Sequence, residues 1–175
     1  MSEKISIVKR NVKYTRLEVD LNELKIIAPK SVEVEEKEIL QRHQRWLQNK
    51  IQRLNEIKEI SANLKIYNHE HLNELVNLYV EKIGRILKLK PNKIIFRKMK
   101  VRWGSCHQEE GIIIFNKFLK YLPKELIGYV VLHEMCHLIV RNHKKEFWLL
   151  VKKLDPNFKE KEKLLAGYRL KLNLI

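Results

Sequence analysis

An α+β fold is what this 175-residue sequence predicts, and three observations carry the prediction. The first thirty residues alternate apolar and polar at the two-residue period of half-buried strands. The pattern then changes to apolar residues three and four apart, as on amphipathic helices. Finally, "VVLHEMCHLIVRNHKKEFW" (130–148) sets histidines and a glutamate into a stretch that otherwise reads as core.

In the opening segment Ile5 and Ile7, Val12 and Tyr14, then Leu17, Val19 and Leu21 keep the strand period. A turn signal sits at Asp20-Leu21-Asn22 and Pro29 closes the next strand, so a small antiparallel meander is expected. From about Glu35 to Ile60, Ile39, His43, Trp46, Leu47, Ile51, Leu54, Ile57 and Ile60 share a helical face. "SANLKIYNHEH" (61–71) interrupts it and holds the one plausible seam, near 61–69. Leu72, Leu75, Val76, Tyr79, Ile83, Ile86 and Leu87 mark a second helix that stops before Pro91. "NKIIFRKMKVRW" (92–103) and "GIIIFN" (111–116) read as two strands joined by "GSCHQEE". Pro123 suits the first turn of a helix running into the histidines, since its missing N–H is no loss there. Phe147, Leu150, Val151 and Leu154 define one more helix, up to Pro156, and "EKEKLLAGYRLKLN" (160–173) a terminal one.

No uninterrupted apolar run approaches a membrane span, and "MSEKISIVKR" has charges where a signal peptide places its apolar core. A soluble cytoplasmic protein is expected. Cys106 and Cys136 are the two cysteines, so no disulfide framework is expected. The net charge of +15 points to polyanions and makes nucleic acid a candidate partner through a basic surface, although the lysines form no dense block.

On a helix, His133 and His137 lie roughly 40° apart around the axis and about 6 Å along it, so both imidazoles can reach one ion. Zinc takes nitrogen ligands at about 2.0–2.1 Å, which suits this spacing. Glu134 projects about 100° further round, beside the ion and free to take a proton from water. This is the H-E-x-x-H arrangement, for which roughly 0.03 chance matches are expected in such a chain. On a continued helix His143 would stand roughly 120° and about 9 Å away from His137. The helix must therefore end and the chain turn back, and Asn142 is the residue expected to take the left-handed C-cap conformation. The expected site is one zinc ion on His133, His137 and His143, an open fourth position, and Glu134 as general base.

These residues, with "VRWGSC" (101–106), Asn116 and Leu119, and Phe147-Trp148, resemble the YgjP-like metallopeptidase family of metal-dependent hydrolases. The resemblance implies a zincin-like catalytic domain, its active-site helix packed on a small mixed or antiparallel sheet, distantly related to SprT-like and WLM domains. It implies one domain over 1–175: a strand and helix lobe over about 1–61, a catalytic core over about 68–160, and a terminal helix over about 160–175. A peptide or protein is the implied substrate, and "GIIIFN" is the candidate edge strand for it to pair with, a core strand covered on both faces being the equal alternative. Arg102 is a candidate to stabilise an oxyanion or to make a structural ion pair, and Tyr129 to stabilise an oxyanion or to pack. Cys106 is a candidate to block the ion as a thiolate or to lie buried in a turn, and Glu146 to hold a ligand imidazole or to lie at the surface. His69 and His71 alternate in "NHEH" but are expected in a solvated loop, and His107 is expected exposed. Two other functions stay open: a nucleic-acid-associated protein, including a protease of DNA-bound proteins, and a zinc-stabilised scaffold without activity. Oligomeric state is left open.

Overall fold

The computed structural model describes residues 4–19 and 23–174. Asp20, Leu21 and Asn22, where the first turn is expected, lie outside the described residues. Two units divide the chain, Met1–Glu59 and Ile60–Ile175.

The first unit contains β1 (Lys4–Arg10), β2 (Arg16–Val19), β3 (Glu23–Pro29) and α1 (Glu36–Arg42), and α2 (Gln44–Asn63) begins in it. The sheet order is β1-β3-β2. β3 pairs with β1 in parallel, Ile5 opposite Leu24, and with β2 antiparallel, Arg16 opposite Ile27. This is a mixed sheet and not the antiparallel meander expected, because alternation reports which face is buried and not which way the neighbour runs. Ile26, Ile27 and Ala28 of the central strand are fully buried. The single helix expected over 35–60 is broken at His43, the C-cap of α1.

The second unit contains α3 (Leu72–Leu87), β4 (Lys93–Arg97), β5 (Gly104–His107), β6 (Ile112–Asn116), a 3-10 turn (Lys117–Tyr121), α4 (Lys124–Cys136), α5 (Lys145–Leu154) and α6 (Phe158–Lys171). α3 ends as expected before Pro91, with Lys88 in the left-handed conformation. The sheet order is β4-β6-β5, with β6 parallel to β4 (Ile94 opposite Ile113) and antiparallel to β5 (Gly104 opposite Phe115). Two expectations fall here. "GSCH" is a strand and not part of a connection, and "GIIIFN" is the central strand, paired on both sides. Four consecutive apolar residues suit a strand covered on both faces, and Ile113 and Phe115 are fully buried.

α4 is buried nearly all round, including Val130, Val131, Met135 and Cys136, and it packs on α3, β5, α5 and α6. That enclosure holds its polar side chains in fixed positions. No helix among the described residues is long and apolar enough to cross a membrane.

Candidate metal centre

α4 stops at Cys136, earlier than expected, and His137 is its C-cap with φ −68° and ψ −18°. Turns follow through Ile139, which is 44% exposed and does not extend the buried face of α4. Asn142 is not left-handed: among the described residues only Lys88 and Asn173 have positive φ outside glycine. The reversal starts one turn sooner, so no left-handed residue is needed. Asn142 instead accepts a hydrogen bond at Oδ1 from the Lys144 N–H (3.3 Å), leading into α5.

The result is the convergence the spacing demands. His143 Nε2 lies 2.9 Å from His133 Nε2 and 3.0 Å from His137 Nε2. His137 is oriented by its own backbone: Nδ1–H donates to the Val140 carbonyl at 3.0 Å. A carbonyl only accepts, so the proton is on Nδ1 and the Nε2 lone pair faces the other two rings. Phe147 stacks on His137, with ring centroids 4.3 Å apart, and Trp148 stacks on His143 at 5.5 Å. Phe147 and Trp148 thus clamp the imidazoles, which gives "FW" a physical purpose.

Desolvation lowers the pKa of all three histidines, most at His133; His143 is the most exposed of them. His133 is pushed down to about 3, by desolvation first and then by His137 and His143. His137 and His143 are lowered too, mainly by desolvation. Three uncharged nitrogens facing one another have too few protons to satisfy one another, whereas a divalent cation satisfies all three. Nitrogens about 2.0–2.1 Å from one tetrahedral ion stand roughly 3.3 Å apart, close to the spacings observed. The donor set therefore fits zinc. Among the described residues the group able to hold an ion is His133, His137 and His143; neither Cys106 nor Glu146 joins it.

Glu134 is buried against β5. A Cβ at Gly104 would stand 2.6 Å from Glu134 Cγ, so only glycine leaves room for the carboxylate. Desolvation raises Glu134 to about 8, and the Arg102 guanidinium pulls the other way. Cys106 is half-buried on the same wall, and burial, then Glu134, pushes its thiol up to about 11, so it keeps its proton at neutral pH. Glu146 is exposed on α5, and His107 is exposed as expected. His69 is no solvated loop residue: it is half-buried, and its Nε2 lies 2.9 Å from the Leu122 carbonyl.

Two residues of the motif set, Asn116 and Trp103, prove to be supports whose role the sequence did not assign. Asn116, fully buried at the end of β6, donates from Nδ2 to the Met99 and Arg102 carbonyls, both at 2.8 Å. Its Oδ1 accepts from the N–H groups of Met99 (3.3 Å) and Phe118 (3.1 Å). Trp103 Nε1–H donates to the Leu165 carbonyl at 3.3 Å, joining the bend before β5 to α6. A lone asparagine and a tryptophan carry no periodic signal, so their partners could not be read from spacing.

A cavity of about 510 Å³ opens over the three histidines, lined by Gly104, Ser105, Cys106, Tyr129, Glu134 and residues of α6. A family model described as YgjP-like, metallopeptidase domain, matches residues 57–168. No curated protein matches the chain. Among solved structures the chain is similar to the metallopeptidase zymogen abylysin of Pyrococcus abyssi. The identity is 24% and the TM-score 0.49, over 53% of this chain and 93% of that one.

Proposed function

The chain belongs to the YgjP-like metallopeptidase family, and on that premise we propose that it is a zinc-dependent peptidase with His133, His137 and His143 as ligands and Glu134 as general base. One observation carries the reading: three neutral imidazole nitrogens converge beside a buried carboxylate that a glycine admits. Zinc bound there supplies Lewis acidity, polarising a substrate carbonyl and making water a stronger acid.

The protein's own groups do the rest. Burial raises the Glu134 carboxyl in the metal-free site, and a divalent cation on the neighbouring histidines would lower it again, towards the ionised form a general base needs. It takes the proton of the attacking water and passes it to the departing amine. The histidines hold fixed positions through the Val140 carbonyl and the Phe147 and Trp148 rings.

β5 is the substrate strand. The Asn116 N–H donates to the Trp103 carbonyl at 2.9 Å, which marks 103 and 116 as a hydrogen-bonded pair. Bonded and non-bonded pairs alternate, so Ser105 faces β6 while Gly104 and Cys106 turn their backbone groups to the free edge. An extended peptide pairs there, beside Glu134.

The test is turnover of a quenched fluorescent peptide library by zinc-loaded protein. Glu134→Gln should keep one zinc per chain and lose about 10³-fold or more in rate. Undiminished turnover, or no stoichiometric metal in the parent protein, would remove the assignment. The +15 charge supports a second reading, in which the substrate is a protein bound to nucleic acid. DNA affinity falling steeply with salt would favour it, and no binding at low salt would dispose of it.

A further inference from the structure

Two arginines flank the groups described above, and one of them, Arg102, also lowers the Glu134 carboxyl. Arg102, in the bend before β5, and Arg169, on α6, both line the cavity over the histidines. The third arginine there, Arg141, pairs with Glu109 at 3.3 Å. Neither Arg102 nor Arg169 makes an ion pair of that kind among the described residues. Arg169 Nε is buried, and no acceptor reaches it. A buried guanidinium N–H with no acceptor is a standing free-energy penalty that an incoming oxyanion removes. The other carboxylate on this wall, Glu162, faces the Tyr129 hydroxyl, whose pKa is raised by burial first and by Glu162 next.

The two arginines are also held in register. Arg102 precedes Trp103, whose indole donates to the Leu165 carbonyl, one helical turn before Arg169. The Arg102 carbonyl is fixed by Asn116. The backbone from which each side chain springs is thus set before any ligand arrives.

Resting on the peptidase reading, we propose that Arg102 and Arg169 form a subsite for a carboxylate of the substrate, so that the preferred peptide places an acidic group on the α6 side of the scissile bond. The planar guanidinium fork matches a carboxylate in two parallel hydrogen bonds. The carboxylate is an acidic side chain or a chain terminus; the chemistry is shared, and the test separates the two.

The experiment uses full-length, zinc-loaded Glu134→Gln protein, and reads fluorescence anisotropy of labelled peptides at fixed ionic strength. Four versions of one peptide are compared: glutamate or glutamine at the test position, each with a free or an amidated C-terminus. The acidic version should bind roughly tenfold more tightly or better, one charge-assisted bond's worth. Preference that follows the side chain identifies an internal acidic residue, and preference that follows the free terminus identifies terminal recognition. Adding Arg102→Gln or Arg169→Gln should bring the acidic-to-neutral ratio towards one, and Arg169→Lys should keep part of it. Arg16→Gln, in the first unit, should leave the ratio as it was. Circular dichroism melts identify any variant that fails to fold, in which case Arg102→Gln and Arg169→Lys carry the result. Equal affinity for all four peptides, or a preference that survives both arginine changes, overturns the subsite alone. Binding of no peptide overturns the peptidase reading and the subsite with it.

Discussion

The two sheets of this molecule share one topology and differ at one edge. In each, the third strand in sequence lies in the middle, parallel to the first and antiparallel to the second. In each, the second strand is a short edge of four residues. The edge strand β2 reads Arg-Leu-Glu-Val, and Arg16 and Glu18 pair at 2.9 Å along its exposed face. Charges of that kind on an edge discourage another strand from adding to it. The edge strand β5 reads Gly-Ser-Cys-His, small and without a formal charge. Gly104 admits Glu134, and among the described residues β6 is the one strand paired with β5. On the proposed reading, the first edge discourages an added strand and the second receives one. Topology alone therefore does not make a site; one edge strand's side chains do.

That contrast can be broken at several points, and the largest effect is expected at the histidines. His133→Ala should lower zinc affinity at least about a hundredfold, read by chelator competition, with the first sheet unaffected. Next comes Gly104→Ala, which pushes Glu134 off its position. Turnover should fall about 10²-fold while metal content holds, because small misplacement of a reacting group has that scale of effect. Wild-type turnover in Gly104→Ala would mean that the carboxylate is not held by β5.

Asn116→Ala should lower unfolding stability by about 2–3 kcal/mol in urea titration, since two carbonyls and two N–H groups lose their partner in a buried place. A loss below about 0.5 kcal/mol would show the bend to be held by other contacts. The pH dependence of metal-stripped protein gives a fourth check. Glu134 titrates near 4.5 unfolded and about 8 folded. Its contribution is thus complete below 4.5 and is lost as pH rises through about 8. Glu134→Gln removes that dependence, so the variant should gain on the parent across this window, by on the order of 2 kcal/mol in urea midpoints at pH 8. His133 acts in the opposite sense: its contribution is present above 6.5 and lost as pH falls towards about 3. The smallest change belongs to the first edge: Glu18→Gln should move stability by less than about 0.5 kcal/mol and leave turnover alone.

Much of the site was legible in the sequence, because helical geometry is rigid enough to compute from spacing. His133, His137 and the need for the chain to reverse before His143 follow from 3.6 residues per turn. The means of reversal was not legible: α4 ends at Cys136, and the His137 Nδ1–H meets the Val140 carbonyl, a bond that exists only after the turn. The strand β5 escaped notice because Gly-Ser-Cys-His has no apolar alternation; its pairing with β6 makes it a strand. That pairing also moved "GIIIFN" from the edge to the centre, as its four consecutive apolar residues allowed. The arginine wall was half visible. Arg102 stood out in "VRWGSC", but Arg169 lies in a terminal helix whose approach to the cavity depends on the Trp103 indole.

Asn116 has a kinetic corollary. Its side-chain amide uses two donors and one acceptor oxygen on three neighbouring backbone segments, with no alternative orientation that serves them equally. The Met99 and Phe118 amide protons should therefore exchange with deuterium in step, through one shared opening event, instead of fraying independently. The bend that leads into β5 is in that sense a single cooperative unit hinged on one carboxamide.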